Sequence, residues 1–268
     1  MKRFYPIVLA TFLACSCSAG TTSYTEPAGS ITIISYNVGV LNKYCADSAP
    51  LVAGLVKENE ADLVGFCELD KCTVRSKGRD QLKELTGLLG KGWKGKFCSA
   101  LHFGGGDYGV GVASRKKILR SFQIHLPKGD GSEPRVCQVI ETPECFFAVT
   151  HLDYTQGTAR DRQATQVSET LRKKCVGKPV ILCGDFNAAP DSRTLELLGR
   201  NWEIVSSGAY TFPSREPRAC IDYIMVLKGS CSYLVEKAEV ISEGEAVRDA
   251  SDHLPTLVRL SFVTSEGR

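Results

Sequence analysis

Val180-Ile181-Leu182-Cys183-Gly184-Asp185-Phe186-Asn187 is the stretch on which the reading of this chain turns. Four apolar residues in a row, too few for a helix and rich in β-formers, predict a short strand buried on both sides, Val180 to Asp185. Gly184 leaves room for a neighbouring backbone to come close. Asp185 and Asn187 stand two apart where the strand ends, and side chains at that spacing in extended backbone share a face and can address one ligand. A single strand-end Asp or Asn is more often a turn former. The weight of the motif therefore depends on whether the pattern recurs.

It recurs at four more places. Ile34-Ser35-Tyr36-Asn37 ends an apolar strand in an asparagine, and Asp62-Leu63-Val64-Gly65-Phe66-Cys67-Glu68 ends one in a carboxylate. Ala148-Val149-Thr150-His151-Leu152-Asp153 ends in a histidine, with a carboxylate two residues on. Ile221-Asp222-Tyr223-Ile224 lies upstream of Ser251-Asp252-His253 near the C-terminus. Turn chemistry explains each cluster alone and explains the set poorly.

Working outward, strands are predicted over 31–37, 62–68, 97–101, 109–114, 118–126, 135–140, 145–150, 180–185, 219–227, 234–241 and 257–262, from β-rich runs bounded by turn residues. Asp47-Ser48-Ala49-Pro50 marks a helix start with proline in the first turn. Gln81 to Leu89 and Thr158 to Lys174 read as further helices, and Asp191 or Ser192 caps another. Two strand-rich halves, each interrupted by amphipathic helices, predict two packed, mainly antiparallel sheets flanked by helices, an α/β (α+β) sandwich and not a doubly wound nucleotide-binding fold. With no internal repeat and no second linker, 31–268 reads as one domain.

The N-terminus carries an export pattern: Lys2-Arg3, then the short apolar run Ile7 to Ala14, which is too short to span a bilayer. Phe12-Leu13-Ala14-Cys15-Ser16-Cys17 resembles a bacterial lipoprotein cleavage site with Cys15 or Cys17 as the lipidated residue. The expectation is a signal peptide over 1–16, a flexible Ser/Thr/Gly/Pro-rich tether over 17–30, and an exported monomer held to a bacterial membrane by its lipid alone.

Removing Lys2 and Arg3 from 33 cations leaves 31 against 30 anions. That balance argues against nonspecific nucleic-acid binding through overall charge. Arg115-Lys116-Lys117 and Arg172-Lys173-Lys174 read as solvated faces. Ten cysteines follow Cys17, an even number suited to an oxidising compartment, with Cys137/Cys145 and Cys220/Cys231 as candidate pairs and Cys67 and Cys183 as small buried side chains. No cysteine or histidine cluster has zinc-site spacing. Gly104-Gly105-Gly106 lacks the Lys-Ser/Thr and helix of a phosphate loop and reads as a turn. His102 and His125 lie outside the motifs. Arg162 and Gln163 fall on what is expected to be an exposed helix face, and Asp153 suits a loop cap as well as a substrate contact.

Together the clusters resemble the endonuclease/exonuclease/phosphatase superfamily, which includes pancreatic-type deoxyribonucleases, neutral sphingomyelinases and inositol polyphosphate 5-phosphatases. Ser35-Tyr36-Asn37, Val64-Gly65-Phe66-Cys67-Glu68, Tyr108 to Arg115, Thr150-His151-Leu152-Asp153, Gly184-Asp185-Phe186-Asn187, Ile221-Asp222-Tyr223-Ile224 and Ser251-Asp252-His253 run in that family's order. Cys67 departs from the glutamine that often precedes the metal-binding glutamate. The resemblance implies a four-layer sandwich and a Mg²⁺- or Mn²⁺-dependent hydrolase of phosphate esters. It implies Glu68 as the metal ligand, completed or supported by Asn37 and Asp252. By the same resemblance Asp185 is expected to orient or deprotonate the attacking water, and Asn187 to hold water or phosphate. His253, oriented by Asp222, and His151 stand at the phosphate. On that resemblance the expected substrate is a phosphodiester, with nucleic acid one candidate, or a phosphomonoester; lipid head groups, inositol phosphates and sugar phosphates stay open. The alternative of another class is an inactive surface scaffold. The cost of burying so many ionisable groups without use argues against it.

Overall fold

The computed structural model describes residues 29–263, so the expected signal peptide and all but the last two residues of the tether lie outside the described residues. In chain order the elements are β1 (Ser30–Asn37), α1 (Ala49–Glu58), β2 (Leu63–Lys71), α2 (Gln81–Leu89), β3 (Lys94–Phe103) and β4 (Gly106–Ser114). There follow β5 (Arg120–His125), β6 (Val136–Glu141), β7 (Phe146–His151), α3 (Gly157–Lys174), β8 (Val180–Asp185) and α4 (Arg193–Gly199). The last are β9 (Trp202–Ile204), β10 (Asp222–Leu227), β11 (Ser232–Val240), α5 (Glu245–Ala250) and β12 (Thr256–Val263).

Alternation along the strands builds the layers. Ile181 and Cys183 of β8, with Phe147 and Val149 of β7, pack against Ile33, Leu63 and Cys67 of the other sheet. Their neighbours in sequence, Val180, Leu182, Phe146 and Ala148, face Val167 and Leu171 of α3 and Leu195 and Leu198 of α4. On the far side Ile34, Tyr36, Val64 and Phe66 meet Val52 and Val56 of α1 and Leu82 and Leu85 of α2. Three apolar seams between four layers explain why Val180 to Cys183 carries no polar residue: both its faces are covered.

Each sheet has six strands, ordered β11-β12-β1-β2-β4-β3 and β5-β6-β7-β8-β10-β9. Each contains one parallel pair, β1 with β2 and β7 with β8, and is otherwise antiparallel. Strands of a parallel pair finish at the same edge, so Asn37 and the far half of β2 reach one rim while His151 and Asp185 reach the other sheet's rim. β10 runs against β8 with Asp222 opposite Asp185, and β12 runs against β1 with Thr256 opposite Ser35. The residues just before β12 therefore arrive at that same edge.

Several expectations need correction. β2 does not end at Glu68 but continues to Lys71, because a bulge between Phe66 and Leu69 absorbs one extra residue, setting Cys67 and Glu68 against a single residue of β4, and keeps the ladder with β4. β3 is longer than expected and β5 shorter. β9, α5 and the 3-10 turn Gly39–Leu41 had no clear periodicity to reveal them. Gln163 is buried, not exposed: its side chain accepts from the Asp153 backbone N–H at 2.8 Å and donates to the Pro127 carbonyl at 2.9 Å. None of the ten described cysteines is bonded to another. Cys137 lies opposite Thr150 in the β6–β7 ladder, which keeps Cys145 beyond the strand end and out of pairing. Gly104-Gly105 turns between β3 and β4 as expected, and Ser192 caps α4. No described helix is long and apolar enough to cross a membrane.

Gly184 shows how tightly the rim is built. It has φ +142°, and a Cβ there would stand 1.8 Å from the Thr150 carbonyl oxygen on the neighbouring strand. Backbone on both sides leaves nothing free to give way. Gly184→Ala is expected to cost about 2–4 kcal/mol, read from the denaturant midpoint. Gly199→Ala, which meets nothing within 4 Å, is expected to stay within ~0.5 kcal/mol of the parent.

Candidate active site

The two rims meet at the Asn37 side chain. Its amide nitrogen donates to Glu68 Oε1 at 3.1 Å within its own sheet and to Asp185 Oδ2 at 3.0 Å across the interface. Its carbonyl oxygen accepts from the Gly39 backbone N–H at 3.2 Å, which fixes the amide plane. Glu68 reaches this point because of the bulge: its backbone sits at φ +58°, re-aiming the side chain out of the strand's alternation. Cys67, behind it, is fully buried and donates from Sγ to the Thr150 carbonyl at 3.3 Å. The cysteine thus ties the two sheets together and takes no part in the cavity wall.

Asp185 is the buried hub. Its Oδ1 accepts from the Asn187 backbone N–H at 2.9 Å, while Oδ2 lies 3.4 Å from His151 Nε2 and 3.6 Å from His253 Nε2. Burial, then the Asp222 charge, push its carboxyl up to about 7, against the pull of His253, the Asn187 N–H and Asn37. Asn187, at φ +49°, donates from its amide nitrogen to the Leu152 carbonyl at 3.0 Å, so its amide oxygen remains for the cavity.

The two histidines have partners of opposite charge. His253 Nδ1 lies 2.9 Å from Asp222 Oδ2, which also accepts from Thr211 Oγ1 at 2.5 Å. Burial works against a charged ring, but Asp222, then Asp185, overcome it and push the pKa to about 10. His151 Nδ1 instead lies 3.2 Å from Arg135 Nη1. Burial, then Arg135, hold that ring well below the ordinary histidine range.

The Ser251-Asp252-His253 segment is pinned from both sides. Ser251 Oγ donates to the Asn37 carbonyl at 2.7 Å and accepts from the His253 N–H at 3.2 Å. The Ser214 N–H donates to the Asp252 carbonyl at 2.7 Å. Asp252 itself is half-buried, and its charge acts on the Tyr44 hydroxyl, which burial and this neighbour push up. It does not line the cavity formed beside Glu68, His151, Asp185, Asn187 and His253; Asn37 and Asp222 stand behind that wall, bonded to its members.

That cavity, about 410 Å³, is lined by Glu68, His151, Asp185, Asn187 and His253 together with a second group, Lys43, Arg75, Glu133, Arg135 and Tyr154. Sequence reasoning missed the second group. Arg75 is anchored by a two-point contact with the buried Asp70, at 2.7 and 2.9 Å, and stacks over Phe103 with its guanidinium carbon 4.5 Å from the ring centre. Arg135 is 3% exposed. Only position relative to the motifs could have flagged it, since it precedes the strand that pairs with the one ending in His151. Asp153 is a loop cap: its Oδ1 accepts from the N–H groups of Thr155 and Gln156, each at 2.8 Å.

Two donor sets suit a cation. Glu68 has a single hydrogen bond and offers a hard carboxylate to the cavity. Asp185, Asp222 and His253 offer ligand atoms within 4.8 Å of one another, and Asp222 Oδ1 is buried without a partner. In the second set the Asp222–His253 hydrogen bond already occupies Nδ1.

A family model described as the Endonuclease/Exonuclease/phosphatase family matches residues 34–253. The chain belongs to this family. Similar in structure are an endonuclease/exonuclease/phosphatase family protein of Bacteroides thetaiotaomicron, at 21% identity and TM-score 0.71 over 90% of this chain and 100% of that one, and a mannosyl-6-phosphatase of the same organism, at 22% identity and TM-score 0.71 over 87% and 100%. The human Nocturnin catalytic domain follows at 20% identity and TM-score 0.61 over 88% and 94%. At these identities the likeness establishes the fold. No curated protein matches in sequence. Members of the family hydrolyse phosphoester bonds, and the family typically uses a divalent metal.

The raised His253 pKa makes a test within this family fold. A histidine lifted from about 6.5 to about 10 contributes stability that is complete below the lower value and lost as pH rises towards the higher one. In chelator, Asp222→Asn is expected to lower the melting temperature most near pH 6 and progressively less up to pH 10. A deficit independent of pH would show that the pair carries no shared proton.

Proposed function

We propose that this chain is a divalent-metal-dependent phosphohydrolase that directs water at the phosphorus of a compact phosphate ester. The observation that carries the reading is the convergence on Asp185: two imidazole nitrogens within 3.6 Å of one carboxylate oxygen, beside a cavity rimmed by fixed cations. Glu68, with Asn37 beside it and Asp252 in support, is the set we assign to Mg²⁺ or Mn²⁺, since its carboxylate has free lone pairs and no competing cationic partner. The ion's contribution when bound is to neutralise charge on the nonbridging phosphate oxygens.

The chain's own groups supply the rest. Asp185, with a pKa near 7, is placed to take a proton from the attacking water near neutral pH. The Asn187 amide oxygen accepts from that water. His253, held protonated by Asp222, donates to a phosphate oxygen or to the leaving oxygen, and His151 donates through Nε2. Asp222 and Ser251 hold the ring and its loop in register with Asn37.

The wall favours a small substrate. About 410 Å³ fits a monosaccharide-sized phosphate and not an extended duplex. Arg75 supplies positive charge, and Phe103 and Tyr154 supply ring faces at 43% and 61% exposure. The near-neutral charge balance also fails to support duplex binding. The structurally similar mannosyl-6-phosphatase is a precedent for a sugar phosphate on this fold.

Hydrolysis of p-nitrophenyl phosphate and of its bis-ester, with Mg²⁺ and then with chelator, separates a monoesterase, a diesterase and an inert scaffold. Turnover is expected with metal only, and Asp185→Ala or His253→Ala is expected to lower it by ~100-fold or more with folding kept. Turnover that survives chelation, or a variant near the parent rate, would remove the metal or that residue from the mechanism.

A further inference from the structure

We propose that Arg135 is a positioning residue that fixes His151 as the tautomer carrying its proton on Nε2, so that this ring presents one hydrogen-bond donor to the cavity beside Asp185. The geometry behind it does not depend on the phosphohydrolase reading; only the turnover arm of its test does.

A guanidinium has donors and no acceptor. With Arg135 Nη1 3.2 Å from His151 Nδ1, the only hydrogen bond available there runs from arginine to a ring nitrogen with a free lone pair. A proton on Nδ1 would point at an N–H. The remaining ring proton therefore sits on Nε2, and Nε2 is the atom 3.4 Å from Asp185 Oδ2.

The arginine is itself held. It directly precedes β6, whose Cys137 stands opposite Thr150, the residue before His151 in β7. Its Nη2 lies 3.3 Å from Glu133 Oε2, and its guanidinium carbon lies 5.8 Å from the Tyr154 ring centre. Its Nε, among the described residues, has no partner. Burying a cation with an unmet N–H costs stability, and among the contacts it makes in return are those to Glu133, His151 and the Tyr154 ring.

His253 shows the contrast. Its Nδ1 faces an acceptor, Asp222 Oδ2, and so bears a proton. Both rings aim Nε2 at the same carboxylate oxygen, but an anion backs one and a cation backs the other. His253 is poised to give up a proton, whereas His151 can only donate a hydrogen bond.

Long-range proton–nitrogen NMR on histidine-labelled protein reads the tautomer directly. Only four histidines are present, and His151→Gln assigns the signal. In the parent, His151 is expected to show an unprotonated Nδ1 and a protonated Nε2. Arg135→Met, which keeps the apolar stem and removes the donor, is expected to give mixed tautomers, with kcat lowered ~10-fold or more and KM moved far less. Arg135→Lys, with one donor in reach, is expected to restore the Nε2–H form and most of kcat. A protonated Nδ1 in the parent, or unchanged His151 nitrogens in Arg135→Met, would overturn the assignment. If Arg135→Met does not fold, the parent and lysine spectra still decide it. Absence of turnover in the parent would sink the phosphohydrolase reading and leave the tautomer result standing.

Discussion

One side-chain amide joins the halves of this molecule at the point where they do chemistry. Asn37 ends a strand of one sheet and donates to Asp185 at the end of a strand of the other, while also reaching Glu68 within its own sheet. Four apolar layers bring the two rims face to face, but apolar packing is non-directional and sets no distances among polar groups. The Asn37 side-chain amide, its plane fixed by the Gly39 N–H and its backbone carbonyl held by Ser251, sets them. Because these bonds lie where water is excluded, each is strengthened by the low local dielectric, and an unpaired member would be costly.

On that frame the site separates two chemically identical rings. The Asp222 carboxylate holds a proton on His253, and the Arg135 guanidinium keeps one off the near side of His151. Asp185 between them has its pKa lifted towards neutrality mainly by burial. Pairs of titratable groups whose surroundings push them apart mark where protons can be moved in one direction. The cavity that opens beside them carries its cations on stacked and salt-bridged arginines, so the wall is as preorganised as the rim.

How far the sequence could be read followed from how local each signal is. The apolar run 180–183 announced a strand covered on both faces, and Asp185 and Asn187 two apart announced a shared face; both are short-range facts. Asn37, His151, Asp185, Asp222 and His253 meet because two parallel pairs and two antiparallel neighbours share an edge, and strand-end position was enough to suggest it. The Glu68 bulge was hidden, since it depends on register with β4 and not on composition. Arg135 and Arg75 were invisible because their meaning lies in contacts across the fold. Gln163 misled for a similar reason: a polar residue on a helix defaults to solvent, and only the loop it braces explains its burial. The candidate cysteine pairs rested on hairpin and strand placement, which does not set register: Cys137 falls opposite Thr150, not Cys145.

The central claim is that Asp185 and His253 work as one unit around a single reacting phosphate. A double-mutant cycle on kcat/KM, built from Asp185→Ala, His253→Ala and the pair, tests it most directly. If the two share one transition state, the double variant should fall no more than ~10-fold below the worse single variant. Losses that simply multiply would mean two independent contributions, and would contradict the account.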